Sequence, residues 1–182
     1  MNSRDFSNFG YLRVAVIAPA LRVGDPAFNA DRIAGHLGNA AQDGCSVVVF
    51  PELCLTGYTC GDLFFQATLR EAAIEALQSV AAATEKLPLA VVVGLPVEDG
   101  GRLFNCAALV ARGAVRGIVP KTFLPNSGEY YEERWFSRAG VQSGGTVRIG
   151  GAEIPFGTDL IFEITDRPGC RIGIEICEDL WA

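Results

Sequence analysis

"RVAVIAPALRVGDPAFNADRIAGHLGNAAQDGCSVVVFPE", residues 13–52, decides the fold class. Its first part, "RVAVIAPA" (13–20), is rich in β-formers and reads as a buried strand. "GDP" follows, with Asp25 placed to cap a helix and Pro26 at the first helical position, where a missing N–H costs nothing. Ala30, Ile33, Ala34, Leu37, Ala40 and Ala41 then recur at helical spacing until Gly44 stops the helix. "SVVVFPE" (46–52) is a second buried strand.

The alternation continues outward. A loop through "LTGYTCGDLFF" leads to a helix over about 67–86, with Leu69, Ala73, Ala76, Leu77 and Val80 as its apolar stripe and Pro88 closing it. "LAVVVGLPV" (89–97) is the third strand. A β-α-β-α-β order predicts an α/β fold with helices packed on one face of a sheet. Helices then give way to strands. "NCAALVAR" (105–112) and "AVRGIVPK" (114–121) are joined by a tight turn at Gly113, and a polar loop with aromatics covers 125–140. "TVRIGGAEIPFG" (146–157), "DLIFEIT" (159–165) and "CRIGIEIC" (170–177) are all strand-like.

Composition narrows the function. The 182 residues are 49% hydrophobic and 20% charged, which suits one globular domain. Net charge is −6 with no basic cluster, which argues against nucleic acid and anionic membrane surfaces as partners. No apolar run reaches the length of a membrane span, and "MNSRDFSNFGYLRVAV" lacks the apolar core of a signal peptide. The expected location is the cytoplasm, where the six cysteines remain free thiols. No C-x-x-C pair occurs and His36 is the only histidine, so no metal site is expected. Cys45, Cys106 and Cys170 read as small buried apolar residues, and His36 as a boundary residue beside an apolar stripe.

Three strand ends carry ionisable residues: Glu52 in "VVVFPEL", Lys121 in "GIVPKTF" and Cys177 in "IGIEICED". Sites in sheets with helical layers gather at strand ends, so three neighbouring strands would bring these residues together. Of fifteen basic residues only Lys86 and Lys121 are lysines. Lys86 suits a helix C-terminus, whereas Lys121 has no structural reason to be lysine. Glu178 and Asp179 directly follow Cys177 and disfavour a thiolate. An ammonium at ~4 Å contributes about 4 kcal/mol at an effective dielectric of ~20, close to three pKa units, and outweighs them. Glu52 would then be the base that takes the thiol proton. Each residue alone also has a bland reading, as buried thiol or solvated strand end.

"FPELCLTGY", "GIVPKTFLPN", "EYYEERWF", "IPFGTDLIFE" and "IGIEICEDLW", in this order from Val14 to the last residue, carry a resemblance. Together they resemble the nitrilase (carbon–nitrogen hydrolase) superfamily, and within it the glutaminase domains of glutamine-dependent NAD synthetases. The resemblance implies an αββα sandwich and a Glu52–Lys121–Cys177 triad. It implies that glutamine is hydrolysed to glutamate and ammonia through a thioester on Cys177. Lys121 and the backbone N–H of Glu178 would bind the oxyanion, Glu129 would be a second carboxylate positioning the lysine, and Tyr58, Glu178 and Trp181 would line the glutamine pocket. Ser127 stands where the family often has an aromatic residue.

The domain itself is expected to need no cofactor. ATP and magnesium are implied for a separate synthetase domain, which receives the ammonia and amidates deamido-NAD; the whole protein is expected to be a homo-oligomer. Residues 1–182 would be the N-terminal part of the glutaminase domain, with the remainder and the synthetase domain absent. The sandwich is thus expected to be incomplete at its C-terminus, and the 182 residues alone weakly active or inactive. A stand-alone amidase acting on another small amide and a catalytically silent interaction module remain as alternatives.

Overall fold

A computed structural model describes residues 10–140 and 145–182. Residues 1–9, most of the segment that argues against a signal peptide, lie outside the described residues.

The elements run β1 (Val14–Val16), α1 (Pro26–Gln42), β2 (Val47–Val49), α2 (Ala67–Ala83), β3 (Ala90–Asp99), β4 (Arg102–Ala111), β5 (Ala114–Pro120), α3 (Glu132–Trp135), β6 (Gly145–Ile149), β7 (Ala152–Phe156), β8 (Phe162–Glu163) and β9 (Arg171–Ile172). Short 3₁₀ segments cover Tyr58–Phe65 and Cys177–Leu180. Among the described residues the main sheet has seven strands, in the order β1-β2-β3-β4-β5-β7-β6. β1, β2 and β3 are parallel to one another, and β3, β4 and β5 form an antiparallel meander.

α1 begins as its sequence dictates. Asp25 caps it by accepting the Phe28 N–H at 3.1 Å, with Pro26 in the first turn. Ile33, Leu37 and Ala40 from α1 and Ala76, Leu77 and Val80 from α2 bury one face of the sheet. Ile33 and Leu37 are fully enclosed, each contributing about 1.5–3 kcal/mol of apolar burial. The β4–β5 hairpin turns on Arg112 and Gly113, both at positive φ (52° and 77°), the twist a two-residue loop needs.

The opposite face carries the start of a second layer. Phe162 of β8 and Ile174 and Ile176 after β9 pack on Val49, Ala90, Val92, Ala107 and Leu109. Strand alternation produces both faces: Asn105, Ala107 and Leu109 point to this side of β4, and Phe104, Cys106 and Ala108 to the helical side. The mixed α/β architecture agrees with the expected nitrilase-like sandwich.

Local expectations need correction. β1 is an edge strand of three residues, with Val16 82% exposed and only Ala15 and Ile17 turned to the core. The loop over 125–140 contains the short helix α3. "CRIGIEIC" pairs only at Arg171–Ile172, and residues 173–176 form no strand.

Candidate active site

Glu52 reaches the site through a loop that lies flat on the sheet. Leu53 adopts φ +52°, and Leu55 N–H donates to the Gly94 carbonyl of β3 at 3.0 Å. A Cβ on Gly94 would stand 2.2 Å from the Leu53 nitrogen, so only glycine admits this path. The path is needed because β2 and β5 are not neighbours: β3 and β4 lie between them. The three strands expected side by side are thus replaced by a loop that lies against Gly94 of β3 and carries Glu52 to Asn105 of β4.

Lys121 follows β5 and is fully buried. Its backbone N–H donates to the Asn105 carbonyl at 2.8 Å, and its carbonyl accepts from Ala139 at 3.0 Å. Lys121 Nζ donates to Glu52 Oε1 at 2.6 Å and to Glu132 Oε1 at 2.8 Å. Asn105 Nδ2 donates to the same Glu52 oxygen at 2.6 Å, and Tyr58 Oη donates to Glu132 Oε1 at 2.7 Å. Burial alone would lower the Lys121 pKa, but the bonds to Glu132 and Glu52 and their charges raise it overall, so the ammonium is held charged.

The second carboxylate on Lys121 is therefore Glu132, not Glu129, which lies exposed on the preceding loop. Helix geometry is the reason. Phe136 is four residues after Glu132 and buries its ring against Phe64, so α3 turns both inward. Asp62 fastens α3 from outside, accepting Arg134 Nε at 2.7 Å and Trp135 Nε1 at 2.9 Å. Burial raises the Glu132 pKa, opposed by its hydrogen bonds from Lys121 and Tyr58. Sequence reasoning also missed Asn105, although a polar residue within the apolar run "LFNCAALV" was a usable signal.

Cys177 is exposed and opens the last 3₁₀ turn at φ +51°, a conformation that non-glycine residues rarely adopt. Partial burial of the sulfur, then the charge of Glu52, raise its pKa; Lys121 lowers it, and Glu132 and Glu178 raise it further. The expectation that Lys121 would outweigh its acidic neighbours is thus corrected. Burial of the sulfur comes first, and the lysine's charge is shared with two carboxylates, so the Cys177 pKa is held above its usual value. Burial pushes the Cys54 thiol up to about 12 and holds Cys60 and Cys106 above their usual range. Cys177 is the exposed one, which makes it the most accessible of the six thiols. Cys45 and Cys106 are buried as expected, whereas Cys170 is half-buried.

Of the expected pocket residues, Tyr58 is tied to Glu132, Glu178 is half-buried beside Cys177, and Trp181 is 77% exposed. Ser127 lies on the exposed loop before α3.

Glu52, the fully buried Lys121 and Cys177 thus gather against inner strands of the main sheet rather than at its edge. The carbon–nitrogen hydrolase family model covers residues 13–182. The chain belongs to the carbon–nitrogen hydrolase family. This hydrolase chain is 40% identical over 181 residues to the glutamine-dependent NAD(+) synthetase of Mycobacterium tuberculosis (strain H37Rv), covering 100% of the chain and 26% of that protein. The corresponding protein of Xylella fastidiosa (strain 9a5c) is 32% identical over 172 residues, covering 94% of the chain and 28% of that protein. The chain therefore spans about a quarter of the length of the curated relatives it matches. Among solved structures, a glutamine-dependent NAD(+) synthetase from Cytophaga hutchinsonii superposes with TM-score 0.84 at 35% identity, over 92% of this chain and 28% of that one. An amidase from Nesterenkonia sp. superposes with TM-score 0.60 at 25% identity, over 78% of this chain and 53% of that one.

Proposed function

We propose that this chain is the glutaminase module of a glutamine-dependent NAD synthetase, working in the cytoplasm and releasing ammonia from glutamine through a thioester on Cys177. The observation that carries the reading is Lys121, fully buried and bonded to both Glu52 and Glu132 beside an exposed Cys177. The names of its relatives support glutamine as the substrate.

In this mechanism Cys177 rests as a thiol. Glu52 takes its proton as sulfur attacks the side-chain carboxamide carbon of glutamine. Lys121 Nζ and the Glu178 N–H stabilise the tetrahedral oxyanion. As the C–N bond breaks, Glu52 returns the proton to the departing ammonia, leaving a thioester. Glu52 then deprotonates water, which attacks the thioester; glutamate leaves and the thiol recovers its proton. Tyr58, Glu178 and Trp181 form the glutamine side of the pocket. The ammonia passes to a synthetase domain that uses ATP and magnesium to amidate deamido-NAD, within a homo-oligomeric whole protein.

The test compares glutamine and ammonium as nitrogen donors in the complete gene product. Cys177→Ala and Glu52→Gln should each lower glutamine-dependent NAD synthesis by at least ~10³-fold and spare synthesis from ammonium. Loss of both activities in a folded variant would overturn the division of labour. Hydrolysis of propionamide with glutamine untouched would instead favour the stand-alone amidase that the Nesterenkonia likeness suggests. No amide turnover, with slow alkylation of Cys177, would favour a silent module.

A further inference from the structure

Asp179 lies two residues beyond Cys177, where a carboxylate would hinder thiolate formation. Its oxygens are engaged elsewhere. Asp179 Oδ1 accepts the backbone N–H of Thr122 at 3.1 Å and of Phe123 at 2.8 Å. Its Oδ2 accepts the Ile176 N–H at 3.3 Å, and its own N–H donates to the Ile176 carbonyl at 3.1 Å. Thr122 and Phe123 directly follow Lys121, and Ile176 directly precedes Cys177. One side chain thus joins the segment carrying the amine to the turn carrying the sulfur.

The two segments differ in how firmly they are held. Lys121 is anchored by its backbone bonds to Asn105 and Ala139 and by two carboxylates on its ammonium. Cys177 begins a four-residue turn at positive φ, after residues 173–176 that form no strand. Bonds from a carboxylate to backbone N–H groups are charge-assisted and about twice as strong as neutral ones.

We propose that Asp179 is a positioning residue: by bridging the N–H groups of Thr122 and Phe123 to that of Ile176, it fixes the Cys177 sulfur and the Glu178 N–H relative to the Lys121 ammonium. The proposal rests on the amide-hydrolysing reading of the site. Its expected effect falls on the acylation step. A displacement of about 1 Å between reacting groups costs on the order of 10²-fold in rate.

The test uses Asp179→Ala and Asp179→Asn in the complete gene product. Glutamine turnover is measured alongside labelling of Cys177 by methyl methanethiosulfonate, which a thiolate attacks at sulfur with loss of methanesulfinate and without any oxyanion. Asp179→Ala should lower kcat about 10²-fold, with KM and labelling rate within about 5-fold of wild type. Asp179→Asn keeps a carbonyl oxygen for Thr122 and Phe123 and should recover about 10-fold of that loss. Unchanged kcat in Asp179→Ala would overturn the proposal. So would labelling that falls in step with kcat, which marks simple collapse of the turn, or an Asn variant as impaired as the Ala variant. If the wild type leaves glutamine untouched, the glutaminase reading fails by itself, and the same comparison with propionamide decides the role of Asp179.

Discussion

Replacing Lys121 by methionine keeps an unbranched chain of similar length and removes the charge. Glu52 Oε1 lies 2.6 Å and Glu132 Oε1 2.8 Å from the ammonium, so the two carboxylate oxygens are within about 5.4 Å of each other, the combined length of the two bonds. Without the cation their repulsion is at least about 3 kcal/mol at an effective dielectric of ~20. That repulsion favours protonation of one carboxylate, and burial of Glu132 pushes in the same direction, so the folded variant holds a proton more readily than the unfolded chain. A folded-state pKa above the unfolded value means that the native state binds the extra proton. The resulting stability is fully present below the unfolded carboxylate pKa, near ~4.3, and is lost as pH rises through the raised folded-state value. Lys121→Met should therefore gain about 3 kcal/mol, relative to wild type, on going from pH 8 to pH 4. At this domain size that corresponds to ~6–12 °C in the melting temperature of its transition.

Calorimetry of the complete protein across that pH range reads the effect. The double variant Lys121→Met/Glu132→Gln removes one of the two repelling charges and should flatten the dependence. Three proteins are compared because acid acts on every other carboxylate equally in each. If Lys121→Met tracks the wild type from pH 8 to pH 4, or the double variant keeps the full acid gain, the coupling of these three side chains is refuted.

Glu129→Gln should leave glutamine turnover within about 2-fold, as expected for an exposed loop charge, whereas Glu132→Gln should lower kcat at least ~10-fold by freeing one side of Lys121. In Glu132→Gln the Cys177 thiol should also titrate at lower pH, since Glu132 raises its pKa in the wild type; the pH profile of methyl methanethiosulfonate labelling reads this shift, and an upward one would refute it. Gly94→Ala puts a methyl group against the Leu53 nitrogen, and should cost at least about 1–3 kcal/mol in melting experiments and lower kcat by displacing Glu52. A Gly94→Ala enzyme with wild-type kcat would show that the Glu52 loop does not depend on that close approach.

What was legible in the sequence followed from local chemistry. Asp25, Pro26 and Gly44 bounded α1 because caps and breakers act through their own backbone. The α2 stripe at Leu69, Ala73, Ala76, Leu77 and Val80 was readable because burial repeats with the helix period, and all five are buried. Glu52, Lys121 and Cys177 stood out as ionisable residues ending apolar runs. Glu132 did not, because "EYYEE" offers several glutamates and the choice among them depends on Phe136 docking against Phe64, a contact far apart in the chain. Asn105 was hidden for a related reason: its role exists only once the loop has carried Glu52 to β4. The raised pKa of the Cys177 thiol was not legible because burial of its sulfur and the two carboxylates that share Lys121 come from parts of the chain far from it.

That sharing gives the proposed mechanism its timing. In the resting site Lys121 is committed to Glu52 and Glu132, and a neutral thiol asks little of it. When sulfur attacks the carboxamide, the thiol proton moves to Glu52 and cancels that carboxylate's charge. One of the two anions holding the ammonium is thus neutralised in the same step that creates an oxyanion nearby. The lysine's attraction is transferred to the new charge without moving the side chain, whose backbone is pinned by Asn105 and Ala139. An interaction that strengthens only as the transition state forms lowers the barrier without tightening substrate binding. A lysine whose charge had already been spent on a resting thiolate would have stabilised the ground state as well, and its contribution to the rate would be smaller.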